Sequence, residues 1–156
     1  DGLLHNAGIL GSRSPVELYD PEIWNKVMQV NATAPFLLSR AMIPLLRKSD
    51  DASMIFTSSG VGRQARAYWG AYAVSKFAVE GLSQLLADEL DDNRHNIRVN
   101  SLNPGATRTN MRVLAYPAEN PSQNPAPEEL MPVYLYLMGK DSQGINGQQI
   151  DAQPKK

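Results

Sequence analysis

The sequence predicts a protein of the α/β class whose strands form a parallel sheet. Short apolar runs at 2–6, 53–58 and 97–102 have the length of buried strands. The long segments between them carry apolar residues at steps of three and four, the period of a helix packed on one face. Strands that alternate with helices in this way indicate βαβ units. A chain of 156 residues is long enough for one domain with a core.

The first strand is predicted at residues 2–6 and ends in a tight turn at 6–8 that contains Gly8. A long helix is predicted at 21–48, because Asp20 is a favourable N-cap and Pro21 suits the first helical position. Two prolines inside this segment are expected to bend or interrupt the helix, Pro35 and Pro44.

The middle of the chain repeats this alternation. A buried strand is predicted at 53–58, a loop containing glycine and arginine at 60–70, and a second long helix at 71–93. The third strand, at 97–102, is ended sharply by the Asn-Pro-Gly turn at 103–105.

Residues 106–127 contain four prolines and no regular apolar period, so a long loop is predicted there. A loop of this length is typically a lid or is disordered. A further helix at 128–138, with Pro132 in its first turns, and a last short strand at 147–152 complete the prediction.

Three loops follow the carboxyl ends of predicted strands, at 6–11, at 58–70 and from Asn103 onward. In open parallel sheets, ligands bind in the crevice beyond this edge. We therefore expect the functional residues to lie in these loops or just after them.

Composition excludes several functional classes. The net charge is −1 and no basic run exceeds two or three residues, so the chain has no general attraction to nucleic acid or to an anionic membrane. No apolar stretch approaches the roughly 18 residues of a transmembrane helix. The chain has no cysteine, which excludes disulfides and thiolate metal sites and fits a reducing cytoplasm. His5 and His95 are far apart and join no acidic cluster, so no metal site is expected.

Tyr72 and Lys76 are four residues apart in a predicted helix, so their side chains are expected on one face with Cβ atoms about 5–6 Å apart. An ordinary phenol has a pKa of about 10, too high for efficient proton transfer near neutral pH. A neighbouring ammonium group favours the phenolate. The sequence therefore predicts a lowered pKa for Tyr72 and proton transfer at a carbonyl or alcohol oxygen, although the spacing alone also fits a surface tyrosine beside a solvated lysine.

Two polar residues add to the catalytic interpretation. Ser59 follows the strand at 53–58, where its hydroxyl can bind the oxygen that Tyr72 addresses; capping of the loop is the alternative. Asn31 lies among apolar residues inside a predicted helix, and a buried amide needs hydrogen-bond partners. We expect Asn31 to bind a water or a backbone group near the site, or else to satisfy the helix bend next to Pro35.

The order and spacing of these motifs resemble the short-chain dehydrogenase/reductase family over essentially the whole chain. The sequence departs from the family at His5, where a second asparagine is usual, while 147–151 resembles the family's closing strand. The resemblance implies the C-terminal, catalytic part of a Rossmann-like doubly wound parallel sheet that lacks the first three strands. It treats 1–156 as one partial domain with the substrate lid at 106–127. The motifs that carry it are Asn6-Ala7-Gly8, Asn31, Ser59, Tyr72, Lys76 and Pro104-Gly105.

The resemblance implies reversible transfer of hydride between NAD or NADP and a carbonyl/alcohol pair. It makes Tyr72 the general acid/base, which Lys76 activates while holding the nicotinamide ribose, and it makes Ser59 the group that orients the carbonyl. It also implies that Asn31 holds a water molecule in a proton relay. The residues that it implies border the cofactor are Asn6, Ala7, Gly8, Tyr72, Lys76, Pro104, Gly105 and Thr109.

The family places its glycine-rich pyrophosphate turn, and the residue that selects NAD or NADP, before the position of Asp1. The glycines at 60–62 are not a substitute, because they lie between Ser59 and Tyr72 and precede no suitable helix start. We therefore expect the isolated chain 1–156 to bind the dinucleotide poorly and to be inactive. We also expect it to be poorly soluble or partnered, with an open apolar edge at its first strand.

The resemblance also implies a cytoplasmic enzyme that acts on a small molecule and assembles as a homodimer or tetramer through the helices at 21–48 and 71–93. The main alternative is a non-catalytic fragment or assembly module. A lyase or epimerase with the same Tyr-Lys pair is disfavoured, because only 84 residues follow Tyr72 and such relatives generally carry a larger C-terminal substrate domain.

Overall fold

A computed structural model describes residues 1–92 and 95–154. In that part of the chain, four strands run parallel in the order β1-β2-β4-β5, and the short β3 pairs antiparallel with β4. The predicted α/β class with a parallel sheet is confirmed. The strands are β1 (Gly2–His5), β2 (Ala52–Thr57), β3 (Asp91–Asp92), β4 (His95–Asn103) and β5 (Gln149–Asp151).

The first long helical segment is continuous and has three parts, which are α1 (Pro21–Met28), a π-helical turn (Gln29–Thr33) and α2 (Ala34–Leu46). The Asp20 side chain caps it by accepting from the Glu22 amide at 2.8 Å, as expected. The irregularity precedes Pro35 rather than following either proline, since Pro35 has no N–H for the carbonyl one turn earlier and the preceding turn widens.

The second long helix, α3 (Gly70–Glu89), ends before the predicted boundary, because the chain turns at Leu90 into β3. The predicted boundary itself, Asn93, lies outside the described residues. The segment 106–127, predicted as a loop, contains a short helix, α4 (Asn110–Ala115). Fewer than two turns give no visible apolar period, which explains why the sequence did not indicate α4.

The core lies on both faces of β2, whose residues from Ala52 to Phe56 are all buried. Met54 and Phe56 pack against α2 and α3 on one face. Ile55 points to the other face, where it packs against α5 (Met131–Met138). Helices therefore cover both faces of the sheet, which is the doubly wound arrangement.

β1 lies at one edge of the described sheet and pairs there with β2, leaving Leu4 41% exposed. Within residues 1–92 and 95–154, no helix is both long and apolar enough to cross a membrane. The same ranges contain no cluster of three His, Asp or Glu side chains suited to a metal ion, and the His95 side chain lies outside what the structure describes.

Candidate active site

A cavity of about 440 Å³ lies beyond the carboxyl ends of β1, β2 and β4. The three loops expected at this edge all contribute to its lining. Of the ten site residues predicted from the sequence, Asn31 and Ala7 do not line it. The other eight do: Asn6, Gly8, Ser59, Tyr72, Lys76, Pro104, Gly105 and Thr109.

Tyr72 lies in the first turn of α3 and is 7% exposed. Its side chain makes a hydrogen bond with Ser59, and its ring packs 5.7 Å from the ring of Trp69. Burial raises the pKa of Tyr72, and the hydrogen bond with Ser59 opposes that rise in part. The phenol is therefore protonated at neutral pH.

The predicted lowering of the Tyr72 pKa is wrong in its net direction, because burial raises this pKa and only the hydrogen bond with Ser59 opposes the rise. The Lys76 ammonium lies 5.7 Å from the centroid of the Tyr72 ring and donates to the Thr57 carbonyl at 2.7 Å. Burial lowers the pKa of Lys76 itself to about 8, although the charge of Glu80 opposes that shift. Because the Lys76 ammonium is hydrogen-bonded to Thr57 and is partly neutral near pH 8, it offsets little of the rise in the Tyr72 pKa that burial causes.

Two neighbouring serines follow β2 and line the cavity. Ser59 is half-buried and hydrogen-bonded to Tyr72, as the catalytic interpretation requires. Ser58 is 2% exposed, and its hydroxyl has no hydrogen-bond partner among the described residues. Ser58 therefore carries a buried hydroxyl whose hydrogen-bonding capacity is unsatisfied next to the cavity.

Asn31 lies in the π-helical turn and is 1% exposed. Its Oδ1 accepts from the Ile9 amide at 2.8 Å, and its Nδ2 donates to the Ile9 carbonyl at 2.9 Å and to the Ser75 hydroxyl at 3.0 Å. The expected bond to a backbone group is present, on the amide and carbonyl of Ile9. Asn31 therefore fastens the loop after β1 to α3 behind the cavity.

Arg13 joins three segments at the mouth of the cavity. Its guanidinium carbon lies 4.8 Å from the centroid of the Trp69 ring and 5.4 Å from that of Tyr116. It also donates to the carbonyl of Ala115. Because Ala115 and Tyr116 end α4, Arg13 holds this helix against the loop that precedes α3.

The wall formed by these segments is largely apolar. Leu10, Trp69, Met111 and Ala115 all line the cavity and pack in one apolar cluster with the ring of Tyr72. The residues on either side of Trp69 have positive φ angles, 69° at Tyr68 and 36° at Gly70, and this backbone sets the position of Trp69. A Cβ at Gly70 would lie 2.3 Å from the ring of Tyr19, so glycine is required there.

The sequence analysis missed several of these residues. Trp69 lies three residues before Tyr72, so helical spacing could have placed it on the same side. Ser58, directly before Ser59, was not among the predicted site residues. Arg13 and the carbonyl of Thr57 had no local signal, because their partners are distant in the sequence.

Ser59, the buried Tyr72 and Lys76 thus line one cavity at the carboxyl edge of a doubly wound sheet. Residues 1–120 match the family model described as short chain dehydrogenase. The chain therefore belongs to the short-chain dehydrogenase/reductase family, as its motifs indicated.

Relatives with high identity extend this result. The chain is 54% identical over 154 residues to the uncharacterized oxidoreductase YciK of Escherichia coli K12, a match that covers 99% of this chain and 60% of that protein. A short-chain dehydrogenase structure from Salmonella enterica serovar Typhi is 56% identical with a TM-score of 0.95, covering 99% of this chain and 63% of that one. A structure from E. coli CFT073 complexed with NADPH gives 56% identity and a TM-score of 0.94 at the same coverage. The chain spans about 60% of the length of the curated relative YciK.

Proposed function

We propose that the protein containing this chain is an NAD(P)-dependent oxidoreductase that interconverts a carbonyl and an alcohol. The observation that carries the proposal is Tyr72, a buried, protonated phenol hydrogen-bonded to Ser59 at the wall of a cavity of about 440 Å³. The NADPH complex of the E. coli CFT073 relative supports NADP as the cofactor.

The cavity has groups that fit the nicotinamide half of a dinucleotide. The ammonium of Lys76 is a buried donor among the residues that line it. Asn6, Gly8 and the turn at Pro104 and Gly105 line the same wall. When bound there, the nicotinamide supplies or accepts the hydride.

Tyr72 and Ser59 then act on the substrate oxygen. Their hydroxyls are close enough to hydrogen-bond each other, so both can donate to one carbonyl oxygen. Tyr72 can pass its proton to the alkoxide oxygen that develops when the carbonyl is reduced, and both hydroxyls can donate to the charge on that oxygen. The raised pKa of Tyr72 keeps this proton in place at neutral pH, which favours reduction; alcohol oxidation, which starts from the phenolate, is favoured at alkaline pH.

The decisive test is carbonyl-dependent oxidation of NADPH by the intact natural protein, with whatever residues precede Asp1. A panel of apolar aldehydes, ketones and quinones is suited to the apolar wall. Tyr72→Phe is expected to lower kcat by about a hundredfold or more, the usual contribution of general acid catalysis. The matched control is Tyr136→Phe, because Tyr136 is exposed on α5. Unchanged activity in Tyr72→Phe would overturn the proposal.

We also propose that residues 1–156 alone bind NADPH weakly and are inactive. The support is that the chain spans about 60% of YciK and that the family resemblance implies a pyrophosphate turn outside residues 1–156. Fluorescence titration of NADPH into the purified 156-residue chain and into the intact protein compares the two affinities. NADPH oxidation by 1–156 would contradict this statement.

A homo-oligomer is the third part of the proposal, supported by exposed apolar side chains on both long helices. Those on α2 are Phe36, Leu37, Leu38 and Leu45, and those on α3 are Val74, Phe77 and Leu85. The same surface favours the alternative function, an assembly module without catalysis. Gel filtration with cofactor titration separates the two, because an intact protein that assembles without binding NAD or NADP is a module only.

We place the enzyme in the cytoplasm, since a reaction that consumes NADPH needs a compartment that supplies it. Fractionation of cells carrying the natural protein tests this, and recovery of the protein outside the cytoplasmic fraction contradicts it.

A further inference from the structure

A partly buried polar network connects the closing strand β5 to the catalytic helix α3. Arg63, Glu80 and Asp151 form its centre, and none of the three lines the cavity. The side chains that complete it are Ser101, Asn103 and Gln149.

Arg63 donates in three directions from one planar group. Its Nε lies 2.9 Å from Glu80 Oε1, and one terminal nitrogen lies 2.8 Å from Asp151 Oδ1. The other terminal nitrogen donates to the carbonyl of Ile150 at 3.1 Å. Because the guanidinium donors have a fixed geometry, these three bonds fix α3 relative to β5.

Glu80 lies one helical turn beyond Lys76 and two turns beyond Tyr72, on the same side of α3. It is 3% exposed, and its second oxygen accepts from Ser101 at 2.6 Å and from Gln149 at 3.0 Å. A buried carboxylate with partners on both oxygens is a fixed anchor rather than a mobile charge.

Asp151 extends the network to the turn that borders the cavity. Its Oδ1 accepts from Asn103 Nδ2 at 2.9 Å, and Asn103 Oδ1 accepts from the Gly105 amide at 3.1 Å. Gln153 adds a second link, because its Nε2 donates to the carbonyls of Pro104 and Ala106 at 2.8 and 2.9 Å.

Arg63 also ends the turn that holds Ser59. The turn Gly60–Gly62 is closed by the Gly62 amide on the Ser59 carbonyl at 2.8 Å and by the Arg63 amide on the Gly60 carbonyl at 3.2 Å. Anchoring the Arg63 side chain therefore anchors this turn, and with it the hydroxyl that meets Tyr72.

We propose that Arg63 and Asp151 are positioning residues, which act through Glu80 and Asn103 to hold Ser59 and the turn at Pro104–Gly105 against Tyr72 and Lys76. Buried ion pairs contribute little net stability compared with apolar packing, so fixed geometry is the main effect of this network. The inference rests on the proposed function, in which Ser59 and Tyr72 act on one oxygen.

The test uses Asp151→Asn and Asp151→Ala in the intact natural protein, with NADPH and the best carbonyl of the panel. Asp151→Ala is expected to lower kcat by about tenfold or more and to change KM for the carbonyl much less, because a misplacement of about 1 Å is enough for such a loss. Asp151→Asn keeps the oxygen that accepts from Arg63, so it is expected to recover part of kcat.

The matched control is Asp51→Asn, which disrupts the Arg98–Asp51 ion pair at the other end of β4. It is expected to lower Tm without lowering kcat. Hydrogen exchange is the readout that does not need activity: amides of residues 59–64 and 104–106 should exchange faster in Asp151→Ala and not in Asp51→Asn.

The outcomes are distinct. If Tyr72→Phe is inactive while Asp151→Ala keeps wild-type kcat and exchange, the positioning role is wrong and the proposed function stands. If Asp151→Ala accelerates exchange at 59–64 but Tyr72→Phe remains active, the network anchors the turn and the proposed function fails. If the loss of kcat for each degree of Tm lost is the same in Asp151→Ala and Asp51→Asn, the network has a structural role only.

Discussion

Gly62 lies directly against Lys76: a Cβ at Gly62 would come within 2.7 Å of the Lys76 Cβ and 2.8 Å of its backbone carbonyl carbon. The loop that follows Ser59 therefore approaches α3 as closely as a backbone can. This contact sets the spacing between Ser59 and the Tyr72–Lys76 face of the helix. Gly62 therefore serves the packing of this loop on α3.

Gly62→Ala is expected to force the loop and α3 apart. Overpacking of this kind costs about 1–3 kcal/mol of unfolding free energy, and the displaced Ser59 should lower kcat by about tenfold. Urea unfolding and steady-state kinetics measure the two effects.

The control for this variant is Gly81→Ala in the same helix. A Cβ at Gly81 meets nothing within 4 Å, so this change is expected to stabilise the protein by about 0.5–1 kcal/mol through helix propensity. Equal activity in Gly62→Ala and wild type would show that the contact does not set the catalytic geometry.

Arg13→Ala is expected to loosen α4 at the mouth of the cavity, because it removes the cation between Trp69 and Tyr116 and the bond to the Ala115 carbonyl. KM for the carbonyl substrate should rise by several-fold, about the loss of one cation–π contact, with a smaller change in kcat. Trp69 emission should shift as well. Arg47→Ala, an exposed arginine at the end of α2, is the control, and equal KM values in both variants would contradict the role of Arg13.

His5 gives a pH dependence to stability. Its ring is stacked 4.5 Å from Phe56 and hydrogen-bonded to Ser39, and burial lowers the pKa of His5 to about 4 from 6.5. Between these values the unfolded chain binds the proton and the folded chain does not. The contribution of His5 to the free energy of unfolding is therefore fully present above about pH 6.5. It falls by about 3 kcal/mol as the pH drops to 4.

His5→Asn tests this, because asparagine can still bind Ser39 but does not titrate. Urea unfolding between pH 4 and 7 should show a slope in the wild type that is smaller in the variant. Identical slopes would mean that His5 is accessible to protons in the folded state.

Phe77→Glu is expected to dissociate the proposed oligomer. Phe77 is 44% exposed in the apolar surface of α3, and a carboxylate there would be buried without a partner on assembly. Sedimentation velocity of the intact protein compares this variant with Gln143→Glu, which adds the same charge at an exposed polar position outside α2 and α3. An oligomer that persists in Phe77→Glu places the interface elsewhere.

Local patterns were sufficient for much of the fold and for the centre of the site. Apolar runs and helical periods gave the long helices and the three long strands, and helical spacing placed Tyr72 and Lys76 together. The π-helical turn at Gln29–Thr33 escaped prediction, because its residues continue the same period as the helix around it.

The features that could not be predicted from the sequence depend on contacts between residues that are distant along the chain. Arg63 and Asp151 are 88 residues apart, and no local motif indicates their ion pair. The pKa of Tyr72 was predicted in the wrong direction for a related reason. Helical spacing reveals the lysine one turn away, but burial comes from Trp69 and other neighbours in the folded chain.

The most direct test of shared action by Tyr72 and Ser59 is a double-mutant comparison of kcat for NADPH oxidation in Tyr72→Phe, Ser59→Ala and the double variant. Residues that act on one oxygen as a unit lose activity non-additively. The double variant is therefore expected to be about as slow as Tyr72→Phe alone. A double variant slower by the product of the two single losses would show that the two hydroxyls act independently, contradicting this account.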